Sequence, residues 1–266
     1  MPPPISVITL LTDFGDRDYF VASMKGVILG INSQARIVDL CHQVAPQQVA
    51  EGAYLLRSSY RYFPDGTVHV AVVDPDVGSG RRALLVTTSR YYFLAPDNGI
   101  LSYILKEELS VEVRQIENKQ YRLDSEGATF DGRDLFAPAA AWLTRGQPAG
   151  SFGRLVRDYC TLPVAEPLWE GAVLVGQITY VDRFGNLISN ITPLQLKEVR
   201  GKTRRDRVTI HVAGQLIDGV VTCYADGQPG RAHALINSNG HLEVFVRCGN
   251  AAEELKVASG QPIQVT

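Results

Sequence analysis

The chain has 266 residues, 45% of them hydrophobic and 20% charged, and its 26 Lys and Arg against 28 Asp and Glu leave a formal net charge of −2. This composition fits a globular protein with room for two modest domains and excludes a disordered chain. It also argues against a polybasic nucleic-acid binder, because the densest basic cluster, Lys202 to Arg207, is short and interrupted by Asp206.

The N-terminus, MPPPISVITLLTDFG, carries no basic n-region, and its apolar run extends only from Ile5 to Leu11. Such a run suits a buried first strand, Ile5 to Thr12, and neither a signal peptide nor a membrane span. Cys41, Cys160, Cys223 and Cys248 are dispersed, with no CxxC pair and no histidine at metal-ligand spacing. They read as reduced thiols of a cytoplasmic protein without a metal site.

After Asp13 the acidic turn to Asp18 leads into a helix from Phe20 to Ile31, with Val21, Met24, Val27, Ile28 and Ile31 on one side. A strand at Arg36 to Leu40 and a helix at Val49 to Tyr62 follow. The next stretch, Val68 to Arg82, reads VHVAVVDPDVGSGRR. It begins as a β-rich run and breaks at Asp74, where Pro75, Gly78 and Gly80 prevent continuation of strand or helix. A carboxylate is thereby set at the end of a buried strand, followed by a glycine-bearing loop and two arginines. In open α/β sheets that end is where ligands bind.

Further strands are expected at Ala83 to Thr88, Tyr91 to Ala95 and Val111 to Glu117, with a short helix at Ile100 to Glu107. The polar loop Ala128 to Asp134 precedes a buried helix at Leu135 to Leu143. Arg133 and Asp134 are expected to form a loop ion pair and to cap that helix. Alternating strands and helices define an α/β N-terminal domain, residues 1–155, with a central, mostly parallel sheet flanked by helices. A Pro- and Gly-containing linker, 156–171, precedes residues 172–266. There short β-branched runs, Ala172 to Val181, Leu187 to Ile191, Val208 to Val212, Val220 to Tyr224, His233 to Ile236, Leu242 to Arg247 and Ile263 to Val265, predict a small all-β barrel.

Six motifs can be read together: TDFGDRD from Thr12, VDPDVGSGRR from Val73, PDNGIL from Pro96, TFDGRDLFAP from Thr129, DRFGNLISNI from Asp182, and NSNGHLEV from Asn237 with the following GNAA. In this order and spacing the whole chain resembles the S-adenosylmethionine hydroxide adenosyltransferase family, relatives of the fluorinating and chlorinating enzymes. The resemblance implies hydrolysis of S-adenosyl-L-methionine to adenosine and L-methionine by water attacking ribose C5′, with no metal or redox cofactor. It also implies a homotrimer with active sites between subunits. Neither nucleic acid nor membrane is an expected partner.

By the same resemblance, Asp74 and Arg81 match two members of an Asp-Arg-His triad that holds and activates water. The third position departs from the pattern, with Asp131 in place of histidine. Either Asp131 takes part as a second carboxylate, or the chain binds S-adenosylmethionine or adenosine without turnover. Asp13 matches the acceptor of both ribose hydroxyls, and Asp18 and Asp182 match positions near the methionine amino group. Asn186 matches a contact to the adenine edge, while Ser238 and Asn239 match a carboxylate-binding loop in which halogenating relatives place Arg at the Asn239 position. Tyr224 is a candidate to stack on adenine, and the Asn250-Ala251 backbone to read its edge. Val77 and Gly132 fall where fluorinating relatives carry halide-holding hydroxyls, and Asp74 where they carry Tyr, so halogenation is not expected. VGSGRR is a poor phosphate cradle, since neither a GxxxxGK[ST] nor a GxGxxG pattern is present. His42, His69, His211, His233 and His241 read as structural or surface residues.

Overall fold

The structure, a computed structural model, describes residues 7–127 and 129–266. Ile5 and Ser6 of the expected first strand, the N-terminal tail before them and Ala128 lie outside the described residues. The chain divides into two compact units, one ending at Pro163 and the other running from Val164 to Thr266. Among the described residues no helix is long and apolar enough to cross a membrane.

In the first unit, six strands form one mixed sheet in the order β2-β1-β3-β5-β4-β6. They are β1 (Val7–Thr12), β2 (Arg36–Cys41), β3 (Val68–Val72), β4 (Ala83–Thr87), β5 (Tyr92–Pro96) and β6 (Glu112–Gln115). β2, β1, β3 and β5 pair in parallel, and β4 runs antiparallel to both β5 and β6. All residues of β1 and β3 are buried, because both faces of the sheet are covered. On one face Ile8, Leu10, Val70 and Leu85 meet Met24 and Ile28 of α1 (Phe20–Ile31) and the alanines of α4 (Ala137–Thr144). On the other, Leu11, Ala71, Leu84 and Phe93 meet Ala53 and Leu56 of α2 (Val49–Ser59) and Ile104 of α3 (Ser102–Glu107). The edge strand β2 is mostly solvent-facing.

Parallel register fixes what stands together at the carboxyl edge of this sheet. Thr12 pairs with Val72, so Asp13 and Asp74 leave adjacent strands at nearly the same level. Ala83 at the start of the reversed strand β4 pairs with Pro96 at the end of β5, which returns Arg81 and Arg82 to that same edge.

The second unit is an antiparallel, nearly closed, barrel-like sheet in the order β11-β10-β14-β8-β9-β13-β12, with β7 added beside β8. Its strands are β7 (Leu168–Glu170), β8 (Val173–Val181), β9 (Leu187–Ser189), β10 (Thr209–Val212), β11 (Gln215–Asp218), β12 (Ala232–Ile236), β13 (Leu242–Val246) and β14 (Pro262–Val265). Leu174, Ile178, Leu187, Ile210, Val244 and Ile263 fill its interior.

Several expectations are corrected. The C-terminal unit is not purely β: α5 (Pro193–Thr203) sends Leu196 and Val199 into the barrel core, and α6 (Ala251–Leu255) follows β13. Lys202 and Thr203 of the basic cluster are the last residues of α5, which ends where Arg204 turns left-handed. Val220 to Tyr224 is no strand; Tyr224 opens a short 3₁₀ turn, Tyr224–Asp226. α3 begins at Ser102 rather than Ile100, since Asn98 holds the preceding turn by donating to the Val73 carbonyl and accepting from Ile100 N–H. The helix expected from Leu135 starts earlier, as a π-helical turn over Gly132–Phe136 that runs into α4. Residues of the expected linker make ordered contacts: Arg82 bonds Asp158, Asp97 accepts from Cys160 N–H, and Leu168–Glu170 pairs with β8.

Candidate active site

At the carboxyl edge of the first sheet, Arg81 stands between two carboxylates. Its Nη2 donates to Asp74 Oδ2 and, at 2.8 Å, to Asp131 Oδ2. The Asp74 side chain is 4% exposed, that of Arg81 9% and that of Asp131 19%. Phe136 lies under the guanidinium, 5.8 Å from its carbon. The loop from Pro75 to Gly80 brings this about, because it crosses the edge and places Arg81 back over the strand that Asp74 ends. Asp131 comes from a separate segment, as the residue preceding the π-helical turn.

A cavity of about 120 Å³ opens beside these groups, lined by Phe14, Phe20, Val72, Asp74, Val77, Thr129, Phe130, Asp131 and Gly132. Three of its nine lining residues are aromatic: Phe14, Phe20 and Phe130 contact one another with ring centres 5.2 to 5.8 Å apart. Gly132 packs closely here: a Cβ would lie 3.1 Å from both Phe130 and Phe14 and 3.2 Å from Met24, so those side chains would have to give by a few tenths of an ångström. The second oxygen of Asp74, Oδ1, is buried with no hydrogen-bond partner among the described residues. A buried carboxylate oxygen without a donor is costly, and at a cavity wall it is a ready acceptor for a bound O–H.

Asp13 lies half-buried on the neighbouring strand end, where its Oδ2 accepts from Gln47 N–H at 2.8 Å. It does not cap α1, whose N-cap is Tyr19 without a side-chain bond. Asp18 is exposed on the turn before that helix. Arg133 and Asp134 pair as expected, with two bonds of 2.6 and 2.9 Å, though within the π-helical turn and without capping it. Burial raises the pKa of Asp134, and the bonds from Arg133 and Ser125 more than reverse that, leaving it below the usual carboxylate range.

The C-terminal unit gathers the other candidates on one turn and its surroundings. Asp182 Oδ1 accepts from the backbone of Phe184 and Asn186, and its Oδ2 accepts from the Asn186 side chain at 2.9 Å. Gly185, at φ +81°, leaves the space beside it to the Asn250 side chain, whose Oδ1 a Cβ there would overlap, and Ala252 N–H donates to the Gly185 carbonyl. Asp182, Asn186, Asn250 and Ala251 are thus brought together. Asn250 Oδ1 meanwhile caps α6 by accepting from Glu253 N–H. Tyr224 is half exposed, set edge-on to Phe245, and its phenol donates to Glu243 at 2.6 Å. Ser238 and Asn239 lie exposed on the turn between β12 and β13, where Asn237 Oδ1 accepts from Asn239 and His241 N–H.

Glu243 is the residue that sequence reasoning missed. It is 3% exposed, and burial raises its pKa despite bonds from Tyr224 and Asn237. Its position between Leu242 and Val244 suggests a solvent-facing side chain, whereas all of β13 is buried and Tyr224 of the 3₁₀ turn bonds Glu243. Among the described residues no group of three or more His, Cys, Asp or Glu is placed to hold a metal ion.

An α/β unit with a carboxylate–guanidinium–carboxylate cluster at its strand ends, followed by a small barrel bearing polar turns, defines a class of small-molecule enzyme scaffold rather than a structural module. The profile of the S-adenosylmethionine hydroxide adenosyltransferase N-terminal domain matches residues 8–153, and that of the C-terminal domain matches residues 176–264. The chain belongs to this family. It is 33% identical to an (R)-S-adenosyl-L-methionine hydrolase of Methanocaldococcus jannaschii, over 95% of this chain and 93% of that one. It is 28% identical to a fluorinase of an Actinoplanes species, over 98% and 97% of the two chains. A solved structure of a conserved protein from Thermotoga maritima superposes with a TM-score of 0.88 at 34% identity, covering 97% of this chain and 99% of that one.

Proposed function

We propose that this protein hydrolyses S-adenosyl-L-methionine to adenosine and L-methionine. The observation that carries the reading is the uncommitted Asp74 Oδ1 at the wall of an aromatic cavity, with Asp74 held in place through its other oxygen by Arg81. Water bound there donates one hydrogen to Asp74 Oδ1 and presents a lone pair to ribose C5′. As the new C–O bond forms, the C–S bond breaks and its electron pair returns to sulfur, giving the neutral thioether of methionine. The proton passes to Asp74 and from there to solvent. A sulfonium is a good leaving group, so the protein's task is in-line positioning and proton acceptance. As the proton moves to Asp74, the carboxylate and the sulfonium lose their charges together, which is favoured where water is scarce, as between Phe14, Phe20 and Phe130.

Asp131 takes the place of the family histidine as a second acceptor on Arg81 Nη2, so the guanidinium stays fixed relative to Asp74. Asp13 accepts the ribose hydroxyls, for which its carboxylate retains lone pairs beyond the one used by Gln47. Asp18 and Asp182 face the methionine ammonium. Asn186 and the Asn250-Ala251 backbone read the adenine edge, Tyr224 stacks on its face, and Ser238 and Asn239 hold the methionine carboxylate. The N-terminal residues of one subunit meet the C-terminal residues of the next in a homotrimer working in the cytoplasm. Halide transfer is disfavoured, because Val77 and Gly132 offer no hydroxyl and a side chain at 132 would crowd Phe14, Phe130 and Met24.

Chromatography of products from S-adenosylmethionine incubated with the protein tests the reading. Adenosine and methionine are expected in equal amounts, with turnover falling roughly 10²–10⁴-fold in Asp74→Asn. Adenosine formation no faster than in a protein-free control sinks it.

A further inference from the structure

The turn that carries Asp13 and Phe14 is held from outside by one short segment, His42 to Gln47. Four bonds tie the two together. Thr12 Oγ1 lies 2.9 Å from His42 Nδ1, and the carbonyl of the same histidine accepts from Gly15 N–H at 2.7 Å. Gln43 Nε2 donates to Asp16 at 2.9 Å, and Gln47 N–H donates to Asp13 Oδ2 at 2.8 Å. Gln47 sits at φ +66°, a conformation that costs a non-glycine residue free energy and persists where surrounding bonds enforce it.

His42 is central to this clasp. Its side chain is 10% exposed, and Thr12 is fully buried. The Asp39 carboxylate stands 3.0 Å from Nε2, and Lys25 bonds Asp39 from α1 at 2.6 Å. Burial raises the pKa of Asp39, and the bonds from Lys25 and His42 more than reverse this. A carboxylate facing Nε2 favours the ring proton there, which leaves the Nδ1 lone pair to accept the Thr12 hydroxyl. Thr12 Oγ1 in turn accepts from Phe14 N–H at 3.2 Å. With Asp39 facing its Nε2 side, His42 thus heads a directed chain through Thr12 to the Phe14 amide, which ends on the residue between Asp13 and Gly15. His42 grips the turn with its ring on one side and its carbonyl on the other.

We infer that His42 is a positioning residue for nucleoside recognition: through Thr12 and the 13–15 backbone it aims the Asp13 carboxylate at the ribose hydroxyls and sets the Phe14 wall. This rests on the role proposed for Asp13. It predicts that loss of His42 blunts recognition of the ribose diol more than it slows chemistry, because among the described residues the bonds within the Asp74–Arg81–Asp131 cluster do not involve the clasp.

The test compares binding of adenosine and 2′-deoxyadenosine by calorimetry, together with kcat and KM on S-adenosylmethionine. The intact wild-type protein is expected to prefer adenosine by about 10-fold or more, since a site built around a hydroxyl rejects the analogue lacking it. In His42→Ala the preference falls to within about three-fold, and KM rises by more than kcat falls. His42→Asn, which restores an acceptor near the Nδ1 position, recovers most of the preference. Thr12→Val, nearly isosteric, reproduces the loss should His42→Ala fail to fold. Retention of the wild-type preference in Thr12→Val or His42→Ala overturns the inference, as does an Asn variant no better than the Ala variant. A protein that binds adenosine selectively but releases none from S-adenosylmethionine would sink the hydrolase reading while leaving this one to be decided by the binding ratios.

Discussion

Asp74 and Asp131 share one guanidinium nitrogen, yet only Asp74 has a buried oxygen left without a hydrogen-bond donor among the described residues. On the proposed reading, that asymmetry gives proton acceptance to Asp74 and a supporting part to Asp131. Asp131→His should therefore keep turnover within about 10-fold of wild type or raise it, since an imidazole at that position still contacts Arg81's neighbourhood without removing the acceptor. A loss of several hundred-fold in steady-state assays would show that Asp131 is itself the base. In the C-terminal unit, Glu243 gives a prediction about pH. Its folded pKa is raised by burial, so its favourable contribution is complete below the ordinary glutamate value and is lost as pH rises through the folded one. Glu243→Gln should consequently gain melting temperature relative to wild type on going from pH 4 to pH 7, and calorimetric scans giving a constant difference would refute this. The Asp74–Arg81 pair was legible in the sequence, because seven residues across a Gly-containing loop let the ends meet. Glu243 was not, because a glutamate between Leu242 and Val244 has the pattern of an outward-facing side chain.

At the level of elements, the N-terminal sheet was legible because continuous apolar runs such as Val7–Thr12 and Val68–Val72 are what strands covered on both faces require. The parallel register then explains why residues 61 positions apart, Asp13 and Asp74, stand side by side. α5 was hidden for the opposite reason. It buries only Leu196 and Val199, and its apolar pattern is too sparse to distinguish it from a polar loop. Its start was nevertheless written in the chain: Thr192 accepts from Gln195 N–H while the Gln195 side chain accepts from Thr192 N–H, with Pro193 at the first turn. Thr192→Ala should cost about 1 kcal/mol, read as a lower midpoint in urea with an unchanged slope. An unaltered midpoint would mean the helix is held by its two buried residues alone. Tyr224 was misplaced because a β-branched run, Val220 to Thr222, precedes it, whereas the Asp226 carboxylate accepts from Thr222 and Cys223 N–H and curls the chain into a turn.

For the whole molecule, the candidate residues fall into two sets, Asp13, Asp18, Asp74, Arg81 and Asp131 in the first unit and Asp182, Asn186, Tyr224, Ser238, Asn239, Asn250 and Ala251 in the second. If each active site joins the first unit of one subunit to the second unit of its neighbour, two differently disabled chains should rescue each other. Asp74→Asn removes the acceptor and leaves the second unit intact. Asn186→Ala removes an adenine contact and leaves the first unit intact. In a randomly mixed trimer, a site is whole only when the Asn186→Ala chain supplies the first unit and the Asp74→Asn chain supplies the second. With equal amounts of each, about one quarter of sites meet that condition, so activity should recover to about a quarter of wild type. Sites confined to single chains would give no recovery above the sum of the two variants. Equilibrium sedimentation of the same mixtures separates failure to exchange subunits from failure of the arrangement, since a trimer's mass is required before the rescue has meaning. Recovery that rises and saturates with the time allowed for exchange, in a protein of trimeric mass, would place the reaction between neighbouring subunits.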